Sequence, residues 1–144
     1  MRIVLQRVTS ASVTSGGRVT GEIAAGLLLL VGIEAADTAA DSEWLARKIT
    51  RLRLFADATG QMNRSIVECG GGILLVSQFT LHASTQKGAR PSFHSAARPE
   101  QARPLYENFI TQLAAALGRP VSTGEFGAMM AVVERRLYVE VGAN

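Results

Sequence analysis

Two unbroken apolar runs, Leu27 to Ile33 and Ile73 to Val76, stand out from a chain whose hydrophobic positions elsewhere alternate or recur at helical spacing. Each is short, β-prone and preceded by glycine, the pattern of an interior strand covered on both faces. The first is expected to lie centrally. Upstream, Ile3, Leu5, Val8 and Val13 are spread among Thr and Ser from Met1 to Ser15. Gly16-Gly17 and Arg18-Val19-Thr20 then read as a hairpin turn and its return strand. Thr38-Ala39-Ala40-Asp41 has capping-box spacing, and Leu45, Ile49 and Leu52 follow at helical intervals, predicting a helix over Ala39 to Leu52. Asp57 to Gly60 is turn chemistry, and Thr85 to Arg98, with Gly88, Pro91 and several Ser, is the longest irregular stretch. Leu105, Phe109 and Leu113 recur every fourth residue with Gly118 just beyond, so a second helix runs to Leu117 from either Pro99 or Pro104. Leu137, Val139 and Val141 alternate with polar residues, predicting a closing strand. No repeat or linker interrupts the series.

At 144 residues the chain suits one domain over residues 1–144, a size that buries roughly 68–70% of the unfolded surface. A lone Cys69 closes no intrachain disulfide and has no metal-ligand companion at useful spacing, which fits a reducing cytoplasm. No signal-peptide pattern is present at the N-terminus, and Gly26 to Ile33 is too short to span a bilayer, so a soluble protein is expected. Fifteen Lys and Arg against 12 Asp and Glu leave an excess of only 3, which permits a polyanionic partner without requiring one.

The second apolar run carries the chemistry. Gly70-Gly71-Gly72 opens it, and Ser77-Gln78-Phe79-Thr80 closes it with two hydroxyls, an amide and an aromatic ring at the mouth of a core. Ser77 lacks the Gly-x-Ser-x-Gly elbow of a serine hydrolase. His82 and His94 have no second ligand at metal spacing, and the three glycines lack the Lys-Ser/Thr of a phosphate loop, so no metal or nucleotide cofactor is indicated. Lys87, Arg90 and Arg98 surround Phe93 and His94 in the long loop, a mixture of cations and π-faces suited to RNA phosphates and unpaired bases, and equally ordinary on a solvated loop. Residue chemistry alone stops at a soluble domain with a polar pocket rim.

Ser77-Gln78-Phe79-Thr80-Leu81, followed by Gly88-Ala89-Arg90-Pro91-Ser92-Phe93, closely resembles the D-aminoacyl-tRNA deacylases, also called D-tyrosyl-tRNA deacylases. Gln6-Arg7-Val8, Gly21-Glu22-Ile23, Phe55-Ala56-Asp57 and Thr123-Gly124-Glu125-Phe126 share the resemblance, in register from about Met1 to Val132. It implies a mixed α/β fold of curved, barrel-like sheets flanked by helices, a homodimer, and no metal or organic cofactor. The implied activity is hydrolysis of the ester joining a D-amino acid, or in some cases glycine, to tRNA. Aminoacyl-tRNA is then the partner, and neither DNA nor a membrane is expected.

By the same resemblance Ser77, Gln78, Phe79 and Thr80 line the pocket for the terminal adenosine and scissile ester, and Phe126 and Met130 fall at pocket positions. Thr80 has no base nearby in sequence to activate it, so Thr80 and Gln78 are assigned positioning roles. Catalysis in the family draws on the RNA's own 2′-hydroxyl. Arg7 is a family residue that braces the partner subunit's pocket element. One departure matters. Family members carry an Asn-x-Gly-Pro-Val-Thr turn near the C-terminus, whose Gly-Pro carbonyls exclude L-side chains in the partner's site. Here the prolines are Pro91, Pro99, Pro104 and Pro120, none after glycine, and the expected place reads Ala131-Val132-Val133-Glu134-Arg135-Arg136. Rejection of an L-substrate would need another steric wall. The alternatives are a catalytically silent paralogue that binds tRNA 3′ ends or nucleotides, and a purely structural dimerisation module.

Overall fold

The computed structural model describes residues 1–136. The closing strand expected at Leu137, Val139 and Val141 lies outside the described residues.

The first strand, β1 (Arg2–Ser15), is 14 residues long and changes partners halfway. From Arg2 to Val8 it runs antiparallel to β3 (Gly26–Gly32), pairing Arg2 with Gly32 and Val8 with Gly26. From Ala11 to Ser15 it pairs with β2 (Arg18–Ile23) across the Gly16-Gly17 turn, and from Val8 to Ser15 it also pairs with β8 (Met130–Arg136). A register shift between Val8 and Ser10 marks the handover, and such an irregularity bends a strand. The sheet therefore curls. Its order is β2-β1-β3-β6-β7, where β6 is Gly72–Ser77 and β7 is Ser122–Thr123. β7 comes back against β2, where Ser122 Oγ donates to Glu22 O at 3.0 Å, so the sheet nearly closes into a barrel. A Cβ on Gly21 would stand 2.5 Å from Thr123 O, which is why that position carries no side chain. This is the mixed α/β, barrel-like architecture expected.

β3 and β6 are parallel, with Gly26 opposite Gly72 and Val31 opposite Ser77. Both faces of this pair are buried, the physical cause of the two unbroken apolar runs. Leu27, Leu29, Val31, Ile73 and Leu75 meet the helices, among them Ile49, Tyr106, Phe109 and Leu113. Leu28, Leu74 and Val76 turn the other way and fill the curled sheet with Val8, Ala11 and Val13.

α1 (Ala39–Arg51) starts as its spacing predicts: Asp41 Oδ2 accepts from Thr38 N at 2.8 Å and from Thr38 Oγ1 at 3.0 Å. That local bonding to Thr38 holds the Asp41 carboxyl below the usual range. β4 (Phe55–Ala56) and β5 (Met62–Arg64) form a small hairpin around Asp57 to Gly60. A four-residue helix, α2 (Ile66–Cys69), escaped the periodicity because it is a single turn. Its signal was nonetheless present, since Ser65 and Glu68 form a second capping box, with Ser65 N donating to Glu68 Oε2 at 2.6 Å. α3 (Pro99–Leu117) settles the ambiguous start. Pro99 takes the first helical position, where its missing N–H costs nothing, and Pro104 is carried inside the helix. Gly118 ends it with φ of 80°.

Candidate active site

Because β3 and β6 are parallel and adjacent, their carboxyl ends open together, and chain leaving such ends commonly frames a ligand crevice. Here a cleft of about 630 Å³ lies at that edge, within the usual range for small-ligand sites. Val31 and Ile33 come to it from β3 and the residue beyond, Ser77 and Gln78 from the exit of β6.

The exit is shaped by backbone. Gln78 N donates to Val31 O at 2.7 Å, extending the ladder by one bond, after which Phe79–His82 wind into a 3-10 turn. Leu81 N donates back to Gln78 O at 3.2 Å, and Arg2 Nη1 caps Leu81 O from the neighbouring strand. The turn leans directly on Gly32: a Cβ there would lie 2.9 Å from His82 Cδ2, 3.0 Å from Leu81 Cβ and 3.1 Å from Gln78 O. Inside the turn Gln78 Nε2 donates to Thr80 Oγ1, so the two residues expected to position the reacting groups are coupled to each other.

Three phenylalanines, Phe79, Phe93 and Phe126, border the opening. Phe79, 58% exposed, meets Phe93 edge to face, with centroids 5.3 Å apart and planes at 73°. Phe93 belongs to the irregular stretch, which is pinned at several points: Ser84 and Ser92 exchange backbone bonds of 2.8 and 2.9 Å, and Ala97 N donates to Ile33 O at 2.9 Å. Phe126 packs on Tyr106 with centroids 5.3 Å apart, and the Arg103 guanidinium sits 4.9 Å over its ring. Burial pushes the Tyr106 phenol up to about 12, so it remains a neutral donor to Leu75 O at 3.2 Å. Met130, the first residue of β8, lines the floor beside the nearly fully exposed Met129.

Ser77, Gln78, Phe79, Phe126 and Met130 thus share one cleft, although they come from separate parts of the chain. Thr80 touches it through Gln78 rather than lining it. Arg7 stands elsewhere: it pairs with Leu27 at the opposite end of β3, and its Nη1 donates to Leu54 O at 2.8 Å. Ala96 and Ala97 at the end of the loop and Pro99 at the start of α3 also line the cleft, and none of them carries a chemical signature in the sequence. Neither histidine reaches the cleft. His82 is the buried last residue of the turn, and His94 is exposed on the loop. Among the described residues, none that lines the cleft carries an ionisable side chain.

The sequence pattern of the D-Tyr-tRNA(Tyr) deacylase family matches residues 4–135. The chain belongs to that family. Among curated deacylases, the D-aminoacyl-tRNA deacylase of Opitutus terrae is 61% identical over 132 residues, 92% of this chain and 88% of that one. The enzyme of that name from Chromobacterium violaceum is 58% identical over the same shares. A solved structure titled c-Myc DNA Unwinding Element Binding Protein superposes with a TM-score of 0.88 at 42% identity, covering 94% of this chain and 91% of that chain. A probable eukaryotic D-amino acid tRNA deacylase, 16% identical, shares the fold at a TM-score of 0.82 over 93% and 92% of the two chains.

Against this deacylase background the C-terminal departure has a visible form. Glu134, Arg135 and Arg136 do not turn; they continue β8 along β1, opposite Ala11, Ser10 and Val8. Arg136 Nε donates to Glu134 Oε1 at 2.8 Å, a surface pair within the strand.

Proposed function

We propose that this chain is a D-aminoacyl-tRNA deacylase of translation quality control, hydrolysing the ester between a D-amino acid or glycine and the 3′-terminal adenosine of tRNA. The observation that supports the mechanism is that the described residues lining a cleft of about 630 Å³, in a chain of the deacylase family, carry no ionisable side chain. Such a wall supplies no general base and no activated nucleophile. In this reading the proton moves through the substrate. Water attacks the ester carbonyl carbon, the bond from that carbon to the ribose 3′-oxygen breaks, and the vicinal 2′-hydroxyl relays the water's proton to the departing 3′-oxygen.

What the protein contributes is position and polarity. In this reading Phe79 and Phe126 give apolar contact to adenosine, while Gln78, Ser77 and the Thr80 hydroxyl order water and ester. The first turn of α3, whose Pro99 and Ala102 border the cleft, turns the positive end of a 19-residue helix toward the developing oxyanion. The working form in this reading is a cytoplasmic homodimer in which Arg7 braces the partner's pocket element. Lacking the Gly-Pro pair, the chain relies on the aromatic walls alone to select handedness, so its preference for D over L esters is weaker than the family's.

Incubation with D-Tyr-tRNA, L-Tyr-tRNA and Gly-tRNA, following loss of the ester, tests this directly. Release from all three at the uncatalysed rate would sink the enzyme reading and leave a silent tRNA-end binder. A tRNA ending in 2′-deoxyadenosine should lose most of the acceleration; full activity on it would refute the RNA-assisted step.

A further inference from the structure

The outer face of α1 is unlike the rest of the surface. From Trp44 to Arg53 the chain holds four cations, Arg47, Lys48, Arg51 and Arg53, and no carboxylate. Trp44, Arg47, Lys48 and Arg51 fall at the i, i+3, i+4 and i+7 positions of one helical face, and all four are exposed, the indole to 59%. A buried role does not explain that tryptophan. At the far end of the stripe a concave surface of about 540 Å³ is lined by Arg47, Arg51, Arg53 and the α2 segment. Its carboxylate, Glu68, accepts from Ser65 N at 2.6 Å and also lies in the field of Arg53 and Arg64, which offsets part of their charge. Arg47 has only an exposed 3.5 Å contact with Glu43, and among the described residues Arg51 and Arg53 pair with no carboxylate. Arg47, Lys48, Arg51 and Arg53 outnumber the carboxylates of Glu43 and Glu68 on this face, and an excess of cations beside an exposed indole suits a sugar-phosphate strand.

The stripe starts near the cleft and leads away from it. Ile33 lines the cleft, Glu34 bridges Ala96, and Gln101 Nε2 holds Ala35 O at 2.7 Å, so α1 begins close to the mouth. α3 measures the distance: Ala102 borders the cleft and Ala116 the basic concavity. Fourteen residues at 1.5 Å rise separate the two by about 21 Å, and the two side chains project within about 40° of each other around the helix. A stacked strand covers about 21 Å in roughly six nucleotides at about 3.4 Å each. With the terminal adenosine in the cleft, six nucleotides exceed the four-nucleotide unpaired end of a tRNA and reach its acceptor duplex.

We propose that the outer face of α1, from Trp44 to Arg53, is the docking track for the acceptor arm of tRNA, its arginines binding duplex phosphates about 21 Å from the cleft. The inference rests on the deacylase reading and extends it from the terminal adenosine to the body of the substrate.

The test compares wild type with R51Q/R53Q, neutralisations of exposed residues outside the apolar core, and with R18Q in the β1–β2 hairpin as a control for lost charge. The readout is the ratio of kcat/KM on D-Tyr-tRNA to that on a D-tyrosyl-CCA trinucleotide. In R51Q/R53Q the ratio should fall about tenfold, through KM, and the slope of log(kcat/KM) for tRNA against log salt should flatten by about 1.8, or 0.9 for each lost phosphate. R18Q should leave the ratio unchanged. An unchanged ratio and slope in R51Q/R53Q would overturn the proposal, as would equal losses on both substrates. Binding of uncharged tRNA separates the two claims: if wild type hydrolyses neither ester, the deacylase reading fails, yet weaker tRNA binding by R51Q/R53Q still upholds the track. Equal weakening toward a DNA duplex of the same length would show a generic polyanion surface and overturn it.

Discussion

Replacing Gly32 by alanine probes the placement of the turn that follows β6, proposed above to position the ester, without touching a polar group. Gly32 ends β3 with an ordinary backbone, so alanine is allowed there and gains roughly 0.4–1 kcal/mol by restricting the unfolded chain. The new Cβ, however, would stand 2.9 Å from His82 Cδ2, 3.0 Å from Leu81 Cβ and 3.1 Å from Gln78 O. The Gln78 contact is to backbone and cannot swing aside, so the turn carrying Gln78 and Thr80 must shift by several tenths of an ångström. Overpacking of this kind costs about 1–3 kcal/mol, leaving a net destabilisation near 1 kcal/mol. Function should suffer more than stability, because misplacing reacting groups by about 1 Å costs around 100-fold. The expected result is a 10- to 100-fold fall in kcat for D-Tyr-tRNA with a melting temperature lowered by only a few degrees. Adding His82→Ala removes the closest contact and should restore part of the rate. Wild-type kcat in Gly32→Ala would refute the claim that this glycine sets the turn.

Phe79→Ala should raise KM for aminoacyl-tRNA about tenfold with a smaller change in kcat, since the ring, edge to face with Phe93, is left 58% exposed and a base stacked on it is worth about 1–3 kcal/mol; unchanged KM would remove Phe79 from the proposed adenosine site. For Tyr106 the folded phenol at about 12 lies above an unfolded value near 10, so its contribution is complete below about pH 10 and is lost as pH rises toward 12. Tyr106→Phe should abolish that step in an alkaline denaturation series while costing about 0.5–1.5 kcal/mol at neutral pH for the lost bond to Leu75 O. Asp57 accepts from Thr59 Oγ1 at 2.6 Å, Asn63 Nδ2 at 2.8 Å and Thr59 N at 2.8 Å, which hold its carboxyl well below the usual range. Its stabilisation of the β4–β5 hairpin is therefore present above about pH 4 and lost in more acid solution; amide exchange in the hairpin should rise there in wild type, whereas Asp57→Asn should already exchange faster at pH 7.

Much of this architecture is legible in the chain because its causes are local. Leu27 to Ile33 and Ile73 to Val76 are apolar throughout since a parallel pair covered on both faces admits no polar position, and Thr38 with Asp41 announces a helix because both partners lie within one turn. Ser77 to Phe79, at a strand end, were recognisable as a rim for the same reason. Tertiary structure decided the rest. Only the β3–β6 pairing, across more than 40 intervening residues, brings Ile33 beside Ser77, and only the folding of the long loop and of β8 carries Phe93, Ala97 and Met130 to the same opening. It also sent Arg7 to the opposite end of β3 and, among the described residues, lined the cleft without a titratable group, facts no motif contains. The division follows from range: hydrogen-bond periodicity and capping act over about four residues and are written along the chain, whereas a site is a meeting of segments, set by which faces of the core must be buried against each other.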